Sequence, residues 1–270
     1  MRIQAWRRYA AFGLVLGALF VLTAGCRKKG AVEVAPEIAA SDEALFKLGE
    51  QSIKKDEEKG LLYLRQVIDS FPKSFYAQRA KLLIADTYFK RGDEGNMILA
   101  AAEYREFIKS YPYSPSAAYC QYQVAMTFFK KAYRAGRDQN KTAQALAEFR
   151  LVLKDYPGSE QAKAAQQQIA ECEERLAEHT FIIGKEYHNE GAFKASTDRL
   201  GEILTTYPNY SRMDQVYFYL GDSYFRWKKN DQAVPYLTKL VSDFPKSPLA
   251  KKAQDRLKEI SRAVPPKGKS

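Results

Sequence analysis

Five short strings recur along this 270-residue chain: "SFPKS" at Phe71-Pro72, "SYPYS" at Tyr111-Pro112, "DYPGS" at Tyr156-Pro157, "TYPNY" at Tyr207-Pro208 and "DFPKS" at Phe244-Pro245. Each follows a run with apolar residues at helical spacing, such as "LLYLRQVIDS" or "AVPYLTKLVSD". Proline lacks the helical donor and forces the residue before it out of the helical region, so each string predicts the end of a helix. Small residues mark a second series, Gly49, Ala85, Ala125, Gly184 and Gly221, followed three places later by Ser52, Tyr88, Phe128, Tyr187 and Tyr224. From small residue to proline the spacings are 23, 27, 32, 24 and 24, and from each proline to the next small residue they are 13, 13, 27 and 13. Small residues let paired helices approach closely and large ones fill the gap, so the spacing predicts an array of helical hairpins that share a continuous core.

This pattern resembles the tetratricopeptide repeat, a helical hairpin of about 34 residues. Hairpin five carries it best, with Leu220, Gly221, Tyr224, Ala233 and Pro245. Hairpin four has Gly184, Tyr187, Gly191, Phe193 and Pro208, but Ser196 where alanine is usual. The expected fold is all-α, a right-handed superhelix of five tetratricopeptide-like hairpins with one long helix between repeats three and four. That helix accounts for the spacing of 27, which holds two extra heptads without proline, and it is expected from about Glu160 to Asn189, about 45 Å long at 1.5 Å per residue. Residues 41–158 would hold repeats one to three, residues 159–262 the long helix with repeats four and five, and residues 263–270 a basic tail.

Ahead of the array, Arg2, Arg7 and Arg8 precede the uncharged run from Tyr9 to Gly25, which closes on "LTAGC". The run is marginal as a membrane span and has the three regions of a secretory signal. It resembles a bacterial lipobox, which implies cleavage after residue 25, lipid (palmitate among the acyl chains) on Cys26, and a short tether over residues 26–40. Arg27 after the cysteine, under the sorting rule of Gram-negative lipoproteins, points to the periplasmic face of the outer membrane. Loss of residues 1–25 would leave 40 basic and 32 acidic residues, a net charge of +8. For a chain beside anionic lipid, such a charge speaks to association and not to fold, and no nucleic acid is expected as a partner. Cys120 and Cys172 remain; both fall inside expected helices at different depths, which predicts two buried thiols in place of a bridge.

No catalytic constellation is visible and no metal or cofactor is implied. His179 and His188 stand nine residues apart on one helix, on roughly opposite faces, and cannot share a metal. The terminal "GKS" lacks the first glycine of a phosphate loop. A binding module is therefore the expectation. If the first helix of each hairpin lines a groove, the position three before each small residue holds Phe46, Leu82, Tyr122, Phe181 and Phe218, and the position five after it holds Lys54, Lys90, Lys130, Asn189 and Arg226. An apolar row beside a basic row suits an extended peptide with bulky side chains and a carboxylate. The competing reading is that the aromatic stripe is core and that the lysines answer the helix dipole.

Taken together, the lipobox, the hairpins and the long helix, with "RDQNKTAQALAEFRLVLKDYPGS" and "RLAEHTFIIGKEYHNEGAFKASTDRLGEILTTYP", resemble the BamD family of the outer-membrane β-barrel assembly machine. The resemblance implies a non-catalytic scaffold beside other lipoproteins of the complex. Its amino-terminal groove, here Phe46, Lys54, Leu82, Lys90, Tyr122 and Lys130, would receive the carboxy-terminal β-signals of unfolded outer-membrane proteins. Its carboxy-terminal repeats would hold the POTRA region of a BamA-like barrel protein. Arg199 matches an arginine at which that family contacts BamA, with Phe218 and Arg226 as further candidates. Rival readings are a Tol-Pal or cell-wall coordinator, which would carry an amino-terminal coiled coil, and a lipoprotein of DNA uptake, whose binding would collapse with salt.

Overall fold

A computed structural model describes residues 35–263, which form twelve helices and no strand. The signal-like run, Cys26 and residues 264–270 lie outside the described residues. Within the expected tether, α1 (Pro36–Ala39) is a single turn. Five helix pairs follow: α2 (Asp42–Ile53) with α3 (Glu57–Ser70), α4 (Phe75–Arg91) with α5 (Glu94–Ser110), and α6 (Ala117–Phe129) with α7 (Asn140–Asp155). Next come α8 (Glu160–Asn189) with α9 (Phe193–Thr206), and α10 (Met213–Arg226) with α11 (Asn230–Asp243). The long helix has the expected bounds and doubles as the first helix of the fourth pair. One further helix, α12 (Ala250–Ala263), packs on α11 and α10. The chain divides into two compact units, Met1–Ala80 and Lys81–Ser270, with the division inside α4.

The aromatic-proline strings fold alike at all five places. Phe71, Tyr111, Tyr156, Tyr207 and Phe244 end their helices with φ between −137° and −127° and ψ between 51° and 61°. This is the departure from helical ψ that a following proline imposes. Each then accepts a hydrogen bond at its carbonyl from the amide three residues on, of Ser74, Ser114, Ser159, Tyr210 and Ser247, at 2.9–3.1 Å. The serines also work as side chains. Ser247 Oγ accepts from the Leu249 amide and donates to Asp214 near the start of α10, at 2.6 Å. Ser74 does the same for the Tyr76 amide and Asp42 of α2, and this bond holds the Asp42 carboxyl below its usual range.

Within a pair, contact is set by the small residue. A Cβ added at Gly221 would stand 2.6 Å from Leu237 Cγ, one at Gly184 would stand 2.7 Å from Leu200, and one at Gly49 would stand 2.8 Å from Leu64. The three leucines are fully buried. Ala101, at the same offset from Ala85 as Leu237 from Gly221, is buried too, while Ala125 shares a cluster with Ala145 and Phe149. The tight turn from α8 to α9 uses Gly191 at φ +79°, whereas the turn from α10 to α11 holds Lys228 in that left-handed region at φ +64°.

Both remaining cysteines are free and fully buried. Burial pushes the Cys120 thiol up to about 12 and the Cys172 thiol up to about 11, so neither carries a thiolate at neutral pH.

If the Gly221–Leu237 approach fixes the fifth pair, Gly221→Ala overpacks it and costs about 1–3 kcal/mol in urea unfolding. Combining it with Leu237→Ala, which opens the space, should cost less than the sum of the two single losses.

Candidate protein-binding surfaces

The two rows expected to line a groove part company. Phe46 is only 2% exposed: Tyr76 packs on it at 5.5 Å between centroids, and the Arg79 guanidinium lies 4.6 Å over its ring. Phe181 sits in the core with Ala177, Leu200 and Ile203. Phe218, expected as a contact residue, is 9% exposed and lies with Leu237, Ala253 and Ile260 beneath α12, so its ring already has its partner inside the chain. Leu82 and Tyr122 are half-buried, the latter 5.4 Å from the Phe149 ring. Thus three of the five apolar positions are core, because the face three residues before the small residue is turned to neighbouring helices.

The basic row is exposed throughout: Lys54, Lys90, Lys130 and Arg226. All four stand at the carboxy-terminal ends of first helices, Lys54 and Lys130 as the caps of α2 and α6. That is where positive charge offsets the helix dipole, and it leaves the lysine ammonium groups at the surface where an anion can reach them. Lys130 Nζ lies 4.3 Å over the ring of Phe89, the residue before Lys90, which brings these two lysines to one region of the second unit. Arg199 is exposed on α9, where its guanidinium pairs with Glu202 one turn on at 3.2 Å. A rim pair of this kind contributes little to stability and is easily exchanged for a partner's carboxylate.

Arg226 belongs to a network that sequence reading did not foresee. Ser196 and Ser223 are fully buried, 3.0 Å apart between hydroxyls, and Ser223 Oγ lies 2.9 Å from His188 Nδ1. The other ring nitrogen faces Asp222 at 3.4 Å and Arg226 at 3.4 Å, and Arg256 of α12 donates to Asp222 at 2.7 Å. Serine stands at position 196 because its hydroxyl completes this chain of bonds across α8, α9 and α10. Ser223, His188 and Asp222 have the composition of a hydrolytic triad, yet the serine is wholly buried among helices, where it braces and cannot attack. Arg226 also lies 4.9 Å over Phe193, so its charge is partly committed.

Burial lowers the His188 pKa, with Asp222 opposing and Arg226 and Arg256 reinforcing the shift. The folded ring therefore stays neutral while the unfolded one gains a proton near pH 6.5. The resulting stability is complete above that pH and is lost as pH falls through the folded value. Thermal unfolding should show a decline below about pH 6.5 that is flatter in His188→Asn, which keeps a polar partner for Ser223.

No helix among the described residues is long and apolar enough to cross a membrane. A family model described as YfiO, outer membrane lipoprotein, matches residues 38–233. Outer membrane protein assembly factor BamD of Caulobacter vibrioides is 28% identical over 235 residues, covering 86% of this chain and 75% of its own. The factor of the same name from Neisseria meningitidis serogroup B is 23% identical over 251 residues, covering 88% of this chain and 93% of its own. The crystal structure of MamA protein aligns with 78% of this chain and 94% of its own at 15% identity, with a TM-score of 0.32, too low to bear on the fold. The family match runs from α1 through the first four helix pairs and α10 into the first turn of α11, well over half of the chain: this chain belongs to the YfiO, or BamD, family of outer membrane lipoproteins.

Proposed function

We propose that this chain is a non-catalytic lipoprotein scaffold in outer-membrane protein assembly, anchored through Cys26 at the periplasmic face of the outer membrane. Family membership supports the assembly role, since the relatives matched over most of their length are themselves outer membrane protein assembly factors. The fold suits such a role. Paired helices bury their apolar stripes internally and present charged rims, which favour partner selection over chemistry.

Two surfaces divide the work in this reading. The carboxy-terminal pairs hold the POTRA region of a BamA-like barrel protein. The single observation that carries this is Arg199, exposed and held only by a pair at the surface with Glu202. Arg226 and the edge of Phe218 lie in the next pair and would contribute at most at its border. The amino-terminal pairs receive the carboxy-terminal β-signal of unfolded outer-membrane proteins: in the second unit Lys90 and Lys130 serve the carboxylate and Leu82 and Tyr122 the bulky side chains, and in the first unit Lys54 is the exposed cation. Phe46, being buried, supports the helix that carries Lys54. Other lipoproteins of the complex would complete the assembly.

Affinity capture of the lipidated chain from detergent-solubilised envelopes tests the first surface. The expected result is recovery of a POTRA-bearing barrel protein that falls at least about tenfold with Arg199→Glu, the loss that accompanies reversal of a contacting charge of about 1.4 kcal/mol. Recovery of Tol-Pal components, or of no barrel protein, would contradict the reading.

A further inference from the structure

Phe128 stands in the series of large residues that fill gaps between hairpins, yet its ring does not close the gap. A crevice of about 160 Å³ opens beside it, floored by Met97, Ala101 and Thr127. These three are nearly fully buried, while Ile98 on the wall is 61% exposed. A dry cavity of roughly 150 Å³ holds a benzene ring, so this one has room for a single phenylalanyl or leucyl side chain.

Its rim is basic. Arg105 and Lys141 lie over the Phe128 ring at 5.7 and 5.6 Å, and Lys131 borders the opening. Glu148 and Glu94 only partly offset them, at 2.5 Å from Arg105 and 3.1 Å from Lys141. The adjoining stretch "KKAYRAGRDQNK", Lys130 to Lys141, adds Arg134 and Arg137 against one acid, Asp138. This loop is fixed in place. The buried Gln139 amide donates to the carbonyls of Arg134 and Arg137 at 2.9 Å each and accepts from Thr142 at 2.7 Å, while His179 Nδ1 meets the Ala135 carbonyl at 2.7 Å. A rim ordered before binding spares a partner the entropy of ordering it.

We infer that this crevice between α5, α6 and α7 is a docking site for an acidic polypeptide segment, anchored by one aromatic or aliphatic side chain in the cavity and by carboxylates on Arg105, Lys131 and Lys141. Charge complementarity selects an acidic partner, and the concave, side-chain-sized cavity selects a polypeptide over a flat anionic membrane surface. The site needs no free carboxy terminus and is separate from Arg199.

The test is selection of random peptides of about twelve residues, displayed with their carboxy termini fused so that no terminal carboxylate is free, on the full chain in detergent. Enriched sequences should be acidic with one bulky apolar residue. Their binding should weaken about tenfold to a hundredfold when that residue is replaced by serine, and comparably in Ile98→Ser and Lys131→Glu. Both substitutions are at the surface, and unchanged circular dichroism melts would show that the fold is kept. Neutral or basic winners, no enrichment, or binding indifferent to both variants would overturn the inference. So would vesicles of phosphatidylglycerol that bind through the same residues while no peptide does. None of these outcomes bears on capture by Arg199.

Discussion

The approach of a glycine on one helix to a leucine on the next is the contact on which the other features of this chain rest. At Gly184–Leu200 and Gly221–Leu237 no side-chain atom fits between the helices, which brings their backbones close and fixes the facing register. Once that register is set, the aromatic-proline turns follow. The proline forces one non-helical residue, the turn closes on a single amide-to-carbonyl bond, and the next first helix begins at a fixed place. Five turns with the same backbone geometry mean that each leaves its helix and starts the next by the same local rule.

Such an architecture spends its apolar residues on itself. The rings of Phe46, Phe181 and Phe218 are all engaged inside the chain, and the buried serines, His188 and Asp222 tie the fourth and fifth pairs to α12. Among the described residues, what remains outside is charge at helix ends and on outer faces, with scattered apolar side chains such as Phe75, Ile98 and Tyr113. A surface of that kind recognises partners by the pattern of its charges and by isolated anchors, which is the physical form of a scaffold.

Punctuation was the legible part of the sequence. Proline and glycine act locally, so the helix ends, the pair spacing and the long helix from Glu160 to Asn189 could be read without knowing what packs on what. Burial was less legible. Helical spacing places Phe218 on a stripe but does not say whether that stripe meets solvent or another helix, and α12, which lies beyond the last aromatic-proline signal, decides it. The basic row is exposed, as positive charge at four helix C-termini favours without tertiary information. Ser196 looked like a departure from the repeat, and its reason lies in Ser223 and His188, far apart in sequence. The crevice at Phe128 had one sequence signal, a ring in the gap-filling series beside a basic loop, which only the positions of Ile98 and Ala101 turn into a cavity.

The central claim, that these helix pairs serve outer-membrane protein assembly, is tested most directly by shutting off expression of the chain in its own cells. The measurement is the heat-modifiable, folded fraction of outer-membrane barrel proteins on cold gels. The account predicts that folded barrels fall while unfolded precursors accumulate, with recovery on re-expression of the wild-type chain. Barrels that keep folding at the normal level after the chain is gone would contradict it.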